Sequence, residues 1–414
     1  MTGTRVEQAL TRAHREEWAR VVASLVRRFG DLDLAEDAAA EAYVVALERW
    51  QRDGVPPNPG GWLTTTATRR AIDRLRRESQ RHDKHQAARM LVDDSPPEPV
   101  GAVQDDRLRL LFTCCHPALG MEARVALTLR LVGGLTVAEI ARAFFVADTT
   151  VAQRITRAKA KIAAERIPYR MPSATDVRER LAGVLAVVYL VFNEGYLATA
   201  GDDPVRVDLT DEAIRLGRML RDLLPGEGEV SGLLALMLLS DARRAARVSR
   251  SGELVTLEEQ DRGAWDRVLI AAGHALVRES IDAVAAGGPP PGQYQLLAAI
   301  NAVHTDAASA RDTDWSQIVA LYDRLLRIDG SPMVRLNRAI AVAELDGPDV
   351  ALAGIDRLTD ALDGYHAFHA ARADLLRRIG RSAESRSAYD RALAMVGNAA
   401  ERRYLTRRRD QIAP

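Results

Sequence analysis

The chain has 414 residues, enough for two or three domains with substantial cores, and carries 57 Lys and Arg against 57 Asp and Glu. Its two cysteines, Cys114 and Cys115, are adjacent, which excludes a disulfide framework and, with the absence of a signal-peptide pattern, predicts a cytoplasmic protein. The longest apolar runs, LAGVLAVVYLVF and SGLLALMLL, are too short to span a membrane, so a membrane partner is not expected.

The charge is unevenly distributed along the chain. Residues 1–166 contain 26 Lys and Arg against 22 Asp and Glu, and the remainder carries the balancing negative excess. All three lysines, Lys84, Lys159 and Lys161, lie in this first part. The basic excess therefore belongs to residues 1–166.

Two helices are predicted at the start of the chain. The first covers residues 5–29 and ends at Gly30, which suits a helix C-cap. The second covers residues 32–50, where Asp33, Asp37 and Glu41 recur every four residues. This spacing places an acidic stripe on the outer face of the helix, although an ordinary solvated face would show the same pattern.

A loop dense in Pro and Gly, RDGVPPNPGG, separates these helices from a third, which the pattern starts at Trp62. Its inner face is predicted to carry Thr68, Ala71, Ile72 and Leu75. Its outer face is predicted to carry Thr66, Arg70, Asp73, Arg77 and Arg81, widened by Arg69, Arg74 and Arg76. Arginines beside a Trp suit a partly opened DNA strand, where stacking and phosphate contacts combine. The alternative is a helix made soluble by arginine.

Residues 91–106 are rich in Pro and acidic residues, which predicts a linker able to span on the order of 50 Å. Two helices, 106–112 and 123–131, follow it. Between them, LFTCCHPAL offers adjacent cysteines and one His, not the spaced ligand pairs of a zinc site. We therefore expect Cys114 and Cys115 to be small buried residues.

Residues 135–162, LTVAEIARAFFVADTTVAQRITRAKAKI, predict a helix-turn-helix. Thr136 and Glu139 have the spacing of a capping box at the start of its first helix. That helix is predicted to bury Val137, Ile140, Ala141 and Phe144.

The second helix of this pair has an apolar seam formed by Val151, Ile155, Ala158 and Ile162. The opposite face carries Thr149, Gln153, Thr156 and Arg157, flanked by Thr150, Arg154, Lys159 and Lys161. Such a face suits a DNA major groove, because Thr, Gln and Arg can bond base edges while Arg and Lys hold phosphates. An amphipathic helix pair with a solvated basic face is the alternative.

The remainder of the chain is predicted to be entirely helical, with segments at about 176–199, 209–224, 230–248, 257–286 and 293–310. From residue 311 a repeat emerges, in which Asp314 precedes Pro348 by 34 residues and Pro348 precedes Arg381 by 33. This period is typical of tetratricopeptide repeats, whose stacked helix pairs most often bind a peptide or protein segment.

Two polar groups in this part could form functional sites. His366 and His369 could share a helix face, but without a third ligand they are better explained by packing. Asn193, Glu194 and Tyr196 interrupt an apolar helix and fit either a polar pocket or capping and buried hydrogen bonds.

The order of these elements resembles that of an extracytoplasmic-function (ECF) sigma factor over residues 5–166. DLAEDAAAEAYVVALERW resembles the polymerase-binding helix, PGGWLTTTATRRAIDRLRR the minus-10 reader, and the helix-turn-helix the minus-35 reader. LFTCCHPAL also resembles a signature of the ECF subgroup with a long C-terminal tetratricopeptide-like extension.

The resemblance implies three sets of site residues. Those facing core RNA polymerase would be Asp33, Glu36, Asp37 and Glu41. Those at the minus-10 element of promoter DNA would be Trp62, Thr66, Arg69, Arg70, Asp73, Arg74 and Arg77. Those at the minus-35 element would be Thr149, Thr150, Gln153, Arg154, Thr156, Arg157 and Lys159.

One residue departs from the family pattern. Sigma factors commonly have Gly after the first helix of the pair, whereas this chain has Phe145. A bulky residue with positive φ is uncommon. Either the turn takes another shape or Phe145 packs into the core.

We therefore predict an all-α protein that directs core RNA polymerase to promoters, with no cofactor and no enzymatic activity of its own. Its domains would be a first sigma domain (1–90), a linker (91–106), a helix-turn-helix domain (107–166), a helical extension (167–310) and tetratricopeptide-like repeats (311–414). The extension would regulate the sigma half in cis or bind a partner. The main alternative is a one-component regulator that binds operator DNA as a dimer and uses the repeats as a sensor.

Overall fold

The computed structural model describes residues 2–81, 106–144, 146–167, 169, 173–198, 205–249 and 252–412. Within these ranges the chain forms helices and turns, with an isolated β-bridge between Val248 and Leu254 and no strand. The prediction of an all-α fold is confirmed. The chain divides into two compact units, Met1–Val188 and Tyr189–Pro414. The predicted linker lies outside the described residues except for Asp106.

The first unit contains seven complete helices among its described residues: α1 (Thr2–Phe29), α2 (Leu32–Asp53), α3 (Pro59–Arg81), α4 (Asp106–Cys114), α5 (Met121–Leu131), α6 (Val137–Ala143) and α7 (Asp148–Ala164). Helix α8 (Ala174–Tyr196) begins in this unit and ends in the second. The boundary predicted after residue 166 falls inside the first unit.

The second unit continues with α9 (Val207–Leu223), α10 (Gly228–Asp241), α11 (Arg267–Ala285), α12 (Gln293–Asp306), α13 (Trp315–Leu325), α14 (Pro332–Leu345), α15 (Pro348–Asp356), α16 (Thr359–Leu362), α17 (His366–Arg378), α18 (Ser382–Met395) and α19 (Ala399–Asp410). Short 3₁₀ turns occur at Arg244–Ala246, Arg262–Ala264 and Ala310–Asp312.

Local sequence explains how α1 and α2 are joined. Gly30 adopts a left-handed conformation with φ of 70°, and its N–H donates to the carbonyl of Val26, which ends α1 as predicted. The carboxylate of Asp31 then accepts hydrogen bonds from the N–H groups of Asp33 and Leu34 and caps α2.

Helix α3 begins at Pro59, three residues before the predicted start at Trp62. The side chain of Asn58 accepts a hydrogen bond from the Gly61 N–H at 2.9 Å, and Pro tolerates the first helical turn because its missing N–H has no partner there. The residues fully buried on α3 are Leu63, Ala67 and Ala71. Of the predicted inner face, Ala71 is buried as expected, whereas Thr68, Ile72 and Leu75 are only half-buried, so the buried stripe is rotated from the predicted one.

In the second unit, helix α11 begins at Arg267 and not near residue 257 as predicted. The carboxylate of Asp266 accepts hydrogen bonds from the N–H groups of Val268 and Leu269 and fixes that start. Likewise α10 ends at Asp241, before the predicted end at 248. From α14 onward, successive helices pack around a core that includes Ile355, Phe368 and Tyr389, and α13 packs against α14. Assignment of these pairs as tetratricopeptide repeats stays a prediction.

The two histidines predicted to be packing residues on α17 have local partners. His369 is buried, and its Nε2 lies 2.7 Å from the carbonyl oxygen of Asp363. The Nε2 of His366 lies 3.3 Å from a carboxylate oxygen of Glu401. Both contacts fit the packing interpretation.

His304 on α12 is expected to make the second unit less stable in acid. Burial, together with Arg243 and Arg262, lowers the pKa of His304 to about 4, against an ordinary 6.5. As the pH falls, the unfolded chain takes up this proton first, so stability decreases between about pH 6.5 and pH 4, by up to about 3 kcal/mol. Denaturant unfolding of wild type and His304→Gln at several pH values measures the difference. Identical pH dependence in the two proteins would contradict this expectation.

Candidate functional site

The helix-turn-helix forms with the predicted capping box. The Glu139 carboxylate accepts a hydrogen bond from the Thr136 N–H at 2.7 Å, and the Glu139 N–H donates to the Thr136 hydroxyl at 3.2 Å. In α7 the buried residues are the four predicted ones, Val151, Ile155, Ala158 and Ile162. This seam holds α7 against α5 and α6 and fixes which side of α7 faces outward.

The outward side of α7 carries most of the residues predicted to read DNA. Thr149, Gln153, Thr156 and Arg157 are exposed, and Thr150 is half-buried. Arg154 donates to the Glu122 carboxylate on α5 at 2.6 Å, which holds the guanidinium at the edge of this face. Phe145 lies outside the described residues. The Val146 N–H bonds the Ala141 carbonyl at 3.0 Å at the end of α6.

Helix α3 presents the residues predicted to contact the minus-10 element on its exposed side. Arg69, Arg70, Asp73 and Arg77 are exposed, while Trp62, Thr66 and Arg74 are half-buried. The Trp62 ring packs edge-on against Trp50 of α2, with centroids 5.6 Å apart. Because Trp50 is only 2% exposed, Trp62 is supported by the core of the α1–α3 bundle.

The carboxylates predicted to bind polymerase already have basic partners. Asp37 accepts a hydrogen bond from Arg74 at 2.5 Å, and Glu41 lies 3.9 Å from Arg70. These four side chains are each 37% to 51% exposed, so each ion pair contributes little on its own. The pairs nevertheless set the acidic stripe of α2 directly beside the arginine stripe of α3.

Glu36 is the exception on α2, because it is buried. Its two carboxylate oxygens lie 2.5 Å from Arg130 of α5 and 2.5 Å from Lys159 of α7. Lys159 also bonds the exposed carboxylate of Asp33 at 2.7 Å. Glu36 and Lys159 were predicted to bind different partners, yet in this structure they bind each other.

Lys159 stays charged in this position. Burial acts to lower its pKa, but the carboxylates of Glu36 and Asp33 outweigh burial, so the pKa of Lys159 is raised above its ordinary value. The Lys159 side chain is only 9% exposed. In this arrangement it cannot reach a DNA phosphate.

Other contacts join the helix-turn-helix part to α1. The Trp18 indole N–H donates to the carbonyl of Arg130 at 3.3 Å. Gly134, with φ of 77°, lies so close to α1 that a Cβ there would be 2.7 Å from the His14 ring. The Tyr169 hydroxyl lies 3.0 Å from the carbonyl oxygens of both Ala23 and Asp106. Sequence periodicity did not predict these contacts, because it reports which face is buried and not what covers it.

Cys114 and Cys115 are both buried, as predicted. Burial raises the pKa of Cys114 well above its ordinary value and that of Cys115 to about 11. The Sγ of Cys115 lies 3.4 Å from the Thr128 hydroxyl inside the core. Both thiols are therefore protonated packing groups at neutral pH.

Comparison with known proteins relates this geometry to a family. Residues 14–81 match the family described as Sigma-70 region 2, and residues 109–162 match Sigma-70, region 4. The ECF RNA polymerase sigma factor SigK of Mycobacterium ulcerans (strain Agy99) is 30% identical over 143 residues, which cover 33% of this chain and 74% of that protein. The chain belongs to the ECF RNA polymerase sigma factors.

Other proteins are similar to this ECF sigma factor over all or part of its length. An uncharacterized protein of Rhizobium meliloti (strain 1021) is 44% identical over 401 residues, 95% of this chain and 93% of that protein. SigK of Mycobacterium tuberculosis (strain ATCC 25177 / H37Ra) is 30% identical over 144 residues, 33% of this chain and 74% of that protein. Residues 180–281 match a family of unknown function. No solved structure matches the chain.

This ECF sigma factor acts in promoter-directed initiation of transcription, with core RNA polymerase and promoter DNA as the partners that its domains imply. The region 2 match covers α2, α3 and α1 from residue 14 onward, a bundle that the operator-binding alternative leaves without a role. Among the helices that the structure describes, none is both long and apolar enough to cross a membrane.

Proposed function

We propose that three surfaces of this ECF sigma factor carry out its function. Asp33, Asp37 and Glu41 of α2, with Glu36 once it is uncovered, bind core polymerase. The exposed side of α3 around Trp62 contacts the minus-10 strand, and the outward side of α7 reads the minus-35 element. The exposure of α7 residues opposite a fully buried seam supports the last assignment.

We also propose that the arrangement of regions 2 and 4 described above is a closed form that must open before polymerase binds. The observation that carries this proposal is the ion-pair network of Glu36, Asp33, Lys159 and Arg130. While the buried Glu36 carboxylate holds Lys159 and Arg130, it cannot pair with basic groups of polymerase. Lys159 likewise cannot hold a phosphate, so the network occupies one residue of the proposed polymerase surface and one of the proposed DNA surface.

Such a closed form lowers the apparent affinity of the sigma factor for polymerase. If only a fraction of molecules is open, the apparent dissociation constant for polymerase rises by the inverse of that fraction. The proposed C-terminal repeats would then regulate the sigma half in cis or bind a protein or peptide segment. The protein would act in the cytoplasm and leave all chemistry to the polymerase.

Lys159→Met is expected to tighten binding to core RNA polymerase by about tenfold in the absence of DNA, because it removes a buried cation that holds α7 to α2. Fluorescence anisotropy with labelled full-length protein measures the affinity. Lys161→Met is the control, since Lys161 is exposed on the same helix and its ion pair among the described residues is with Glu165, directly after the end of α7. If both variants bind as wild type does, the closed form has no influence on polymerase binding.

Asp37→Arg is expected to weaken core polymerase binding by about tenfold or more, because it reverses charge in the middle of the proposed α2 surface. This change also breaks the contact with Arg74. Arg74→Gln breaks the same contact but keeps the carboxylate, so it serves as the control in the same assay. Equal weakening by the two variants would assign the effect to the ion pair and refute direct contact of Asp37 with polymerase.

A further inference from the structure

Three arginines of the second unit donate hydrogen bonds, among the described residues, only to neutral groups. Arg243, in the turn after α10, donates from one nitrogen to the Tyr196 hydroxyl and to the Asn301 side-chain oxygen, each at 3.1 Å. Arg247 donates to the Tyr196 carbonyl at 2.6 Å, and its guanidinium lies 3.3 Å from the centroid of the Tyr196 ring. Both arginines are only 9% exposed.

Arg262 is the third member of this group. It donates to the carbonyl oxygens of His304 and Ala307 at 2.6 and 2.7 Å, at the end of α12. Its guanidinium lies 4.6 Å from the centroid of the Trp265 ring. We call Arg243, Arg247, Arg262 and His304 the arginine cluster.

Within the part of the second unit that the structure describes, no carboxylate lies within ion-pair distance of these three arginines. The neighbouring Arg244 shows the usual arrangement, since it pairs with Asp241 at 2.7 Å and Asp211 at 2.8 Å. Buried charges in proteins are normally paired because removing an ion from water is costly. Glu401 and Asp241 act on Arg247, and Asp312 acts on Arg262, from beyond ion-pair distance. The cluster therefore carries buried positive charge with no carboxylate in direct contact among the described residues.

Several donors in the cluster also lack a hydrogen-bond partner. Among the residues that the structure describes, the buried donors Arg243 Nε and Arg262 Nη2 have no hydrogen-bond partner, and neither has the buried ring nitrogen His304 Nδ1. The charges affect one another, because burial and then Arg243 lower the pKa of both Arg262 and His304. Burial is also the main cause of the lowered pKa of Arg247, to which Arg243 contributes. These groups thus share one electrostatic environment.

We propose that the arginine cluster is a binding site for an oxyanion, the carboxylate or phosphate group of a small ligand. Guanidinium groups match these anions geometrically because their planar N–H donors can bond two oxygens at once. The unpartnered nitrogens of Arg243 and Arg262 supply donors, and an anion supplies the missing charge. The site lies wholly in the second unit and does not depend on the proposed polymerase or DNA surfaces.

Calorimetric titration of the full-length protein, without polymerase or DNA, tests this site. The probes are inorganic phosphate and succinate, with sodium chloride at matched ionic strength as the reference. Saturable binding of either probe supports the site. Binding of phosphate but not succinate indicates a phosphorylated ligand. Binding of succinate but not phosphate indicates a ligand with a carboxylate. Absence of binding by both probes beyond the chloride reference would overturn the proposal.

Substitutions test whether the anion binds at the arginine cluster. Arg243→Gln is expected to weaken it by about tenfold or more, since a hydrogen bond to a charged group is lost along with a cation. Arg218→Gln, an exposed arginine on α9, should leave it unchanged. Binding that is equal in wild type and Arg243→Gln would overturn the proposal. If Arg243→Gln does not fold, the wild-type titration still decides, and neither result bears on the sigma surfaces.

Discussion

Glu36→Gln is expected to release region 4 from region 2 in the full-length protein, with a loss of about 3–5 kcal/mol of interaction free energy. The substitution leaves Lys159 and Arg130, whose side chains are 9% and 20% exposed, without the buried carboxylate that pairs them. Asp33 still contacts Lys159 but is largely solvated, so it compensates little. Hydrogen exchange of amides in α2, α5 and α7 measures the opening and should become faster.

A second substitution on α2 separates this effect from a general loss of charge. Glu48→Gln removes one carboxylate from an exposed position of the same helix and should leave exchange unchanged. If Glu36→Gln and Glu48→Gln exchange alike, the network does not hold the two regions together. Together with Lys159→Met, this comparison tests the network from both of its ends.

Trp50→Ala is expected to destabilise the α1–α3 bundle by about 3–5 kcal/mol. The substitution removes one of the largest fully buried side chains among the described residues and leaves a cavity in the core. The Trp62 ring would also lose the edge-on contact that positions it at the start of α3. Denaturant unfolding measures the stability loss. Permanganate footprinting of promoter DNA with reconstituted holoenzyme should show reduced strand opening.

Trp62→Ala is the matched comparison. Its side chain is half-buried, so the bundle should keep most of its stability, while strand opening should fall as strongly as in Trp50→Ala. The two variants therefore separate folding from promoter opening. Normal opening by Trp62→Ala would refute a role for this ring at the minus-10 element.

Local patterns in the sequence predicted local features of the fold well. The seam of α7, the capping box at Thr136 and the end of α1 at Gly30 were predicted correctly, because each depends on residues within one helix or one turn. The errors were also local in origin. Hydrophobic periodicity places the start of α3 at Trp62, whereas the side chain of Asn58 caps a helix that begins at Pro59, and the cap at Asp266 likewise sets a start for α11 that periodicity does not give.

Contacts between distant segments could not be predicted in this way. Glu36 and Lys159 are separated by 123 residues, and the spacing of each along its own helix gives no information about the other. The arginine cluster is also assembled from separate segments, the turn after α10, the turn at Arg262 and the end of α12. Single-sequence periodicity identifies buried faces, but the partner across each face depends on tertiary packing.

The buried thiols of Cys114 and Cys115 have a practical consequence. Since both are enclosed in region 4 and their pKa values are raised, an alkylating reagent reacts only with molecules in which that core has opened. The rate of alkylation therefore reports the opening of region 4 without any introduced label. Because the chain has no other cysteine, mass spectrometry of intact protein can follow this reaction in the free sigma factor and in its complex with polymerase.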